Sequence, residues 1–129
     1  MDSDELNAVA AARADELPGA ERENPFGPEW DVYKVRGKVF MLQTGATGEP
    51  IVTLKARPED SRSLREAFPD IIPGYHMNKR HWISLKPDGE LEPAFVDDLV
   101  TESYLLVVEG LPKRLRPVDP NTFGQRRER

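Results

Sequence analysis

The 129 residues include no cysteine. The chain therefore forms no disulfide, has no thiolate nucleophile and lacks the ligand most structural zinc sites use. Such an absence fits a reducing cytoplasm, the location expected here. Histidine is also scarce. His76 and His81 are the two present, and two imidazoles without a third ligand make a poor metal site, so packing around a turn explains them better. Long hydrophobic runs are missing too: the longest, Tyr104 to Val108, is too short to span a bilayer. The start, Met1-Asp2-Ser3-Asp4-Glu5, leads into no apolar signal segment, and no membrane partner is expected. There is no nucleophile elbow, and the loop Thr44 to Gly48 lacks the lysine of a phosphate-binding glycine loop. A Ser84, His81, Asp88 triple is the kind that arises by chance in polar sequence. No enzyme activity and no cofactor are expected.

What is present suits one α+β domain. A chain of this length holds a single modest core; we assign it to residues 1–116, with 117–129 as a basic, mobile tail lacking an apolar pattern. The formal net charge of −5 is unevenly spread. Residues 1–30 hold two basic and eight acidic groups, 31–88 ten and seven, 89–112 none and six, and 113–129 six and two. Cations thus fall on the predicted strands and tail, and anions on the first and last helices. A chain polarised in this way presents a local basic face despite an acidic pI.

Ser3 or Asp4 is placed to cap a helix reaching about Leu17, with Leu6, Val9, Ala10, Arg13 and Leu17 on one stripe and Pro18-Gly19 as its stop. Asn24 to Pro28 reads as a rigid connector. From Trp30 to Gln43 the period is two, with Gly37 marking a bulge or a break between strands. Val32, Lys34, Arg36, Lys38 and Phe40 share one parity; Tyr33, Val35, Val39 and Met41 share the other. Ile51 to Arg57 alternates again, with Val52, Leu54 and Ala56 opposite Thr53, Lys55 and Arg57, which completes a hairpin. Pro58 to Phe68 is a helix turning Leu64, Ala67 and Phe68 inward. A second hairpin spans Ile71 to Leu85, and a last helix runs from Pro93 to about Val108, with Ser103 and Tyr104 packed against the core. The predicted architecture is helix, hairpin, helix, hairpin, helix: an antiparallel sheet covered on one face by helices.

The segment Ile71 to Leu85 carries both histidines, Trp82, and the adjacent cations Lys79 and Arg80. Together with Leu17-Pro18-Gly19-Ala20, Pro25-Phe26-Gly27, Val35 to Phe40, Leu54-Lys55, Pro58-Glu59, Pro73 to Trp82, Ser103-Tyr104 and Leu111-Pro112-Lys113, it resembles the signature of the MmcQ/YjbR family of small bacterial proteins. The resemblance covers roughly Leu6 to Arg116. It implies a fold similar to the bacterial frataxin CyaY, a double-wing arrangement usually described as DNA-binding. From the residues themselves, a basic face is expected. Lys34, Arg36, Lys38, Lys55, Arg57 and Trp82 should lie on the solvent side, with Val35, Val39, Leu54, Ile83 and Leu85 under the helices. With Asn78, Lys79, Arg80 and His81 at the hairpin tip, they form a surface that would meet the phosphates of double-stranded DNA, Trp82 stacking on a base or at a groove edge. Two alternatives stand beside this reading. Exposed Trp and Arg also suit a protein-interaction module, and the acids Asp2, Asp4, Glu5, Asp15 and Glu16 suit frataxin-like metal handling.

Overall fold

The computed structural model describes residues 1–45, 48–75 and 77–123. The first helix, α1 (Ser3–Glu16), is capped one residue earlier than expected: the Asp2 carboxylate accepts the Glu5 amide at 2.8 Å. Leu6, Ala10, Arg13 and Ala14 are its buried positions. The chain leaves α1 through Pro18 and Gly19. At Gly19 φ is +76°, and a Cβ would lie 3.1 Å from Cγ of Pro117, so both backbone and space favour glycine.

A short strand follows that the sequence did not announce. β1 (Ala20–Glu23) has no apolar alternation; it exists because β2 (Trp30–Val35) offers it a ladder, from Ala20 opposite Val35 to Glu23 opposite Val32. With β3 (Lys38–Thr44), β4 (Ile51–Lys55), β5 (Ile71–Pro73) and β6 (Trp82–Leu85) it forms one antiparallel sheet in the order β1-β2-β3-β4-β6-β5. Between β4 and β5 lies α2 (Pro58–Ala67), and α3 (Pro93–Glu109) follows β6. The predicted α+β architecture holds, with β1 added.

α1 and α3 pack on each other and on β3 and β4, while α2 lies along β5. Under the helices sit Tyr33, Val35, Met41, Val52, Leu54, Ile83 and Leu85, all buried. Tyr104 of α3 is central: its ring stands edge-on to Phe40 at 5.4 Å, and its hydroxyl donates to the Pro18 carbonyl. Burial pushes the Tyr104 phenol up to about 12. In α2 the expected inward set is smaller than predicted. Leu64 and Phe68 are half-buried and Ala67 is exposed, the Phe68 ring packing on Phe95 of α3 at 5.0 Å.

A bulge in β3 alters the predicted parity. Tyr33 opposes Met41 but Lys34 opposes Val39, so Phe40 has no partner across the ladder. Phe40 and Met41 both enter the core, and Val39 moves to the helix-free face beside Lys34 instead of lying under the helices. The Ser103 hydroxyl of α3 uses the irregularity: it donates to the Phe40 carbonyl and accepts the Lys55 amide at 2.8 Å. One hydroxyl thus satisfies two backbone groups just beyond Met41 and Leu54, where the β3–β4 ladder starts.

The helix-free face is not a solvent face. Val32, Leu42, Thr53 and Ser84 follow one another across it in register and all are buried. Thr53 and Ser84 share a hydrogen bond of 2.7 Å, and the Ser84 Oγ accepts the Tyr75 amide at 3.0 Å, so the backbone after β5 passes over this face. Trp82, expected outside, is only 9% exposed. The cause is its place beneath the tip: Gly74 sits so close that a Cβ there would lie 2.6 Å from Cβ of Trp82. The tail differs as well. Pro117 packs at Gly19, Val118 is half-buried against the core, and the Phe123 ring lies 6.2 Å from Tyr104. The expected mobile segment is therefore docked as far as Phe123, while Arg126, Arg127 and Arg129 lie outside the described residues.

Candidate nucleic-acid interface

Strand register sorts the charges by end of the sheet rather than by face. Val35, Lys38, Lys55 and Trp82 mark one end, because β2 finishes there, β3 starts there, and Lys55 opposes Trp82. Arg36, Arg57 and the tip cations Lys79 and Arg80 continue from these strands. At the other end the Asp88 amide donates to the Met1 carbonyl at 2.7 Å, which brings the acidic start of the chain to the turn holding Asp88. Glu49 lies there too, paired with Lys86 at 3.6 Å.

Several cations expected on an open basic face are engaged. Lys34 pairs with Glu23 at 3.1 Å, and Arg57 with Glu102 and Glu109 of α3 at 3.1 and 3.5 Å. Lys55 holds its ammonium 6.0 Å from the Trp82 ring centroid, a cation–π contact that uses the indole face. Trp82 is accordingly unavailable as a base-stacking platform. Arg36 donates from Nε to the Leu115 carbonyl at 2.9 Å and is exposed, as is Lys38. Asn78 shapes the tip: its Oδ1 accepts the Arg80 amide at 2.9 Å and its carbonyl accepts the His81 amide at 3.2 Å. His81 is exposed; His76 lies outside the described residues. The Ser84, His81, Asp88 triple is not assembled, since the Ser84 hydroxyl is bonded to Thr53 and Tyr75 and Asp88 stands at the opposite end of the sheet.

The tip cations instead meet partners from a helix. Lys79 and Arg80 line an open groove of about 720 Å³ together with Arg62 and Arg65 of α2, Pro58, Ser63, Pro73 and one carboxylate, Glu59. Arg65 is braced by its own helix through Nε, at 3.2 Å from the Ser61 carbonyl, and Lys79 reaches the Gly74 carbonyl at 3.4 Å. Among the described residues Arg62 and Arg80 have no ion pair. Sequence reasoning missed Arg62 and Arg65. The signal was there: three residues apart, they share one helix face, the face that Leu64 does not use. Four cations around a single carboxylate can hold phosphate oxygens in position. Among the described residues no three His, Asp or Glu side chains converge on a metal-sized site, and no helix is long and apolar enough to cross a membrane.

The chain as a whole resembles known proteins. The YjbR family model matches residues 15–106. The uncharacterised protein YbdF of Escherichia coli O157:H7 is 47% identical over 114 residues, covering 88% of this chain and 93% of that protein. YjbR of Escherichia coli K12 is 33% identical over 99 residues, covering 77% and 84%. Among solved structures, a Deinococcus radiodurans protein superposes with a TM-score of 0.75 at 35% identity, over 89% of this chain and 85% of its own. A Pseudomonas syringae protein superposes with a TM-score of 0.64 at 27% identity, over 82% and 98%. By extent of match and by fold, this chain belongs to the YjbR family.

Proposed function

We propose that this protein binds double-stranded DNA through its phosphate backbone, seating it against the groove between α2 and the β5–β6 tip. The observation that carries the reading is the convergence of Arg62, Arg65, Lys79 and Arg80 around one carboxylate. Binding of this kind is electrostatic and sequence-tolerant. Part of the net charge of −5 is remote from the groove, because the acids near Met1 stand at the far end of the sheet. β3 alone has seven residues, roughly 20 Å of strand, or about two Debye lengths at 0.1 M salt.

Fluorescence anisotropy with a short random duplex tests this. Arg126, Arg127 and Arg129 are replaced by Ala in every sample, so that the terminal cations cannot bind on their own. Four phosphate contacts give a slope of about −3.6 in log affinity against log salt. Lys79→Ala with Arg80→Ala should reduce its magnitude by about 2 and weaken all sequences alike. A double variant that titrates like its parent refutes the groove.

A protein-interaction role is the second reading, but at a different place from the sheet face. Phe26 is 70% exposed, edge-on to Trp30 at 6.0 Å. Its loop is held by the Asn24 amide, which donates to the Trp30 carbonyl and the Asp31 carboxylate at 2.7 Å each. A fixed, exposed aromatic is a suitable interface anchor. Photocrosslinking from position 26 that yields no specific adduct would remove this reading.

A further inference from the structure

A second set of exposed cations occupies the same end of the sheet, away from the groove. Arg36 and Lys38 flank Gly37 in the β2–β3 turn, and the 3-10 turn Lys113–Leu115 supplies Lys113 and Arg114. All four are exposed. The bond from Arg36 Nε to the Leu115 carbonyl joins the two turns. Asp119 shares a hollow with Lys113, and one of its carboxylate oxygens accepts the Asn121 amide at 2.9 Å. The backbone adds an independent observation. Arg36 and Gly37 have φ of +50° and +78°, the left-handed pair of a two-residue hairpin turn that Asn-Gly fits better. Arginine thus occupies a position its backbone disfavours.

We propose that these two turns form a second phosphate-contact locus, and that the two loci hold the two backbones bordering one major groove of the duplex. The inference rests on the groove reading above. Strand order separates the β2–β3 turn from the β5–β6 tip by three strand spacings, roughly 14 Å. The minor groove of B-DNA, about 6 Å wide, is too narrow for that separation, whereas the major groove, about 12 Å wide, matches it. Between the loci Arg57 is neutralised by Glu102 and Glu109, so the cations act as two patches rather than one band.

The test uses the full-length chain with Arg126, Arg127 and Arg129 as Ala and a random-sequence duplex. Lys113→Ala with Arg114→Ala should lower the salt slope by about 2, and Arg36→Asn by about 1. Arg36→Asn loses the bond to the Leu115 carbonyl but relieves the left-handed backbone, so it should still fold, which a thermal melt checks. On a fixed-sequence duplex only long enough for one bound molecule, hydroxyl-radical protection should appear on both strands, facing each other across the major groove. If the Lys113/Arg114 variant titrates like its parent while the Lys79/Arg80 variant loses slope, the second locus is overturned and the groove reading stands. If neither variant loses slope, both fail. Protection of one strand only overturns the two-backbone arrangement.

Discussion

The two faces of the sheet are both buried, by different means. Under α1 and α3 the contacts are apolar, with Met41, Leu54, Ile83 and Leu85 against helix side chains. On the opposite face Thr53, Ser84 and Trp82 sit among Val32 and Leu42, and the Tyr75 amide bonds to Ser84. Apolar packing is non-directional and tolerates repacking. A buried hydroxyl must keep its partners. The first face therefore holds the fold together, and the second fixes where the tip, with Lys79 and Arg80, stands relative to α2.

This contrast can be broken or sharpened experimentally. The largest effect should come from the helix-covered face: Phe40→Ala, between the Tyr33 and Tyr104 rings, should cost about 4 kcal/mol in urea unfolding. Trp82→Ala tests the other face. If that face is as closed as it looks, the loss is about 3 kcal/mol; a loss under about 0.5 kcal/mol would return Trp82 to the solvent side. Gly74→Ala forces a methyl against Cβ and the backbone of Trp82. It should cost about 2 kcal/mol and also lower the salt slope, since the tip must shift. Ser84→Ala should cost about 1.5 kcal/mol, and adding Thr53→Val should cost less than the sum of the single changes because the two hydroxyls share a bond. Smallest is an alkaline effect confined to the helix side. The Tyr104 phenol is raised to about 12, so between about pH 10 and 12 the unfolded chain loses this proton first. Stability should be fully present below about pH 10 and fall above it. Tyr104→Phe should flatten that decline in urea titrations at pH 9 and 11.

Much of this was legible in the chain, for local reasons. The alternation of Ile51 to Lys55 and of Trp82 to Leu85 marks strands, and Pro58 and Pro93 mark helix starts, because these signals act within a few residues. β1 was not legible, since Ala-Glu-Arg-Glu acquires strand geometry only from the ladder β2 supplies. The bulge at Phe40 was not legible as a position: Gly37 hinted at an irregularity nearby, but which residue goes unmatched depends on how α3 places Ser103 against the strands. Nor was the docked tail, because Pro117, Val118 and Phe123 have no period and find their partners at Gly19 and Tyr104, far away in sequence.

The candidate site divides in the same way. Lys79 and Arg80 could be picked out because they sit together at a turn, and Arg62 and Arg65 could have been, from their spacing on one helix face. That the two pairs meet across one groove, that Arg57 is neutralised by α3, and that Trp82 lies beneath the tip are decisions of the tertiary structure. Sequence by itself determined the elements other than β1, the family and the sign of the charges each element carries, because those follow from neighbours along the chain. Which charges remain free and which face each other was decided only when the sheet order and the bulge set distances between residues dozens of positions apart, and Coulomb and hydrogen-bond energies depend on those distances.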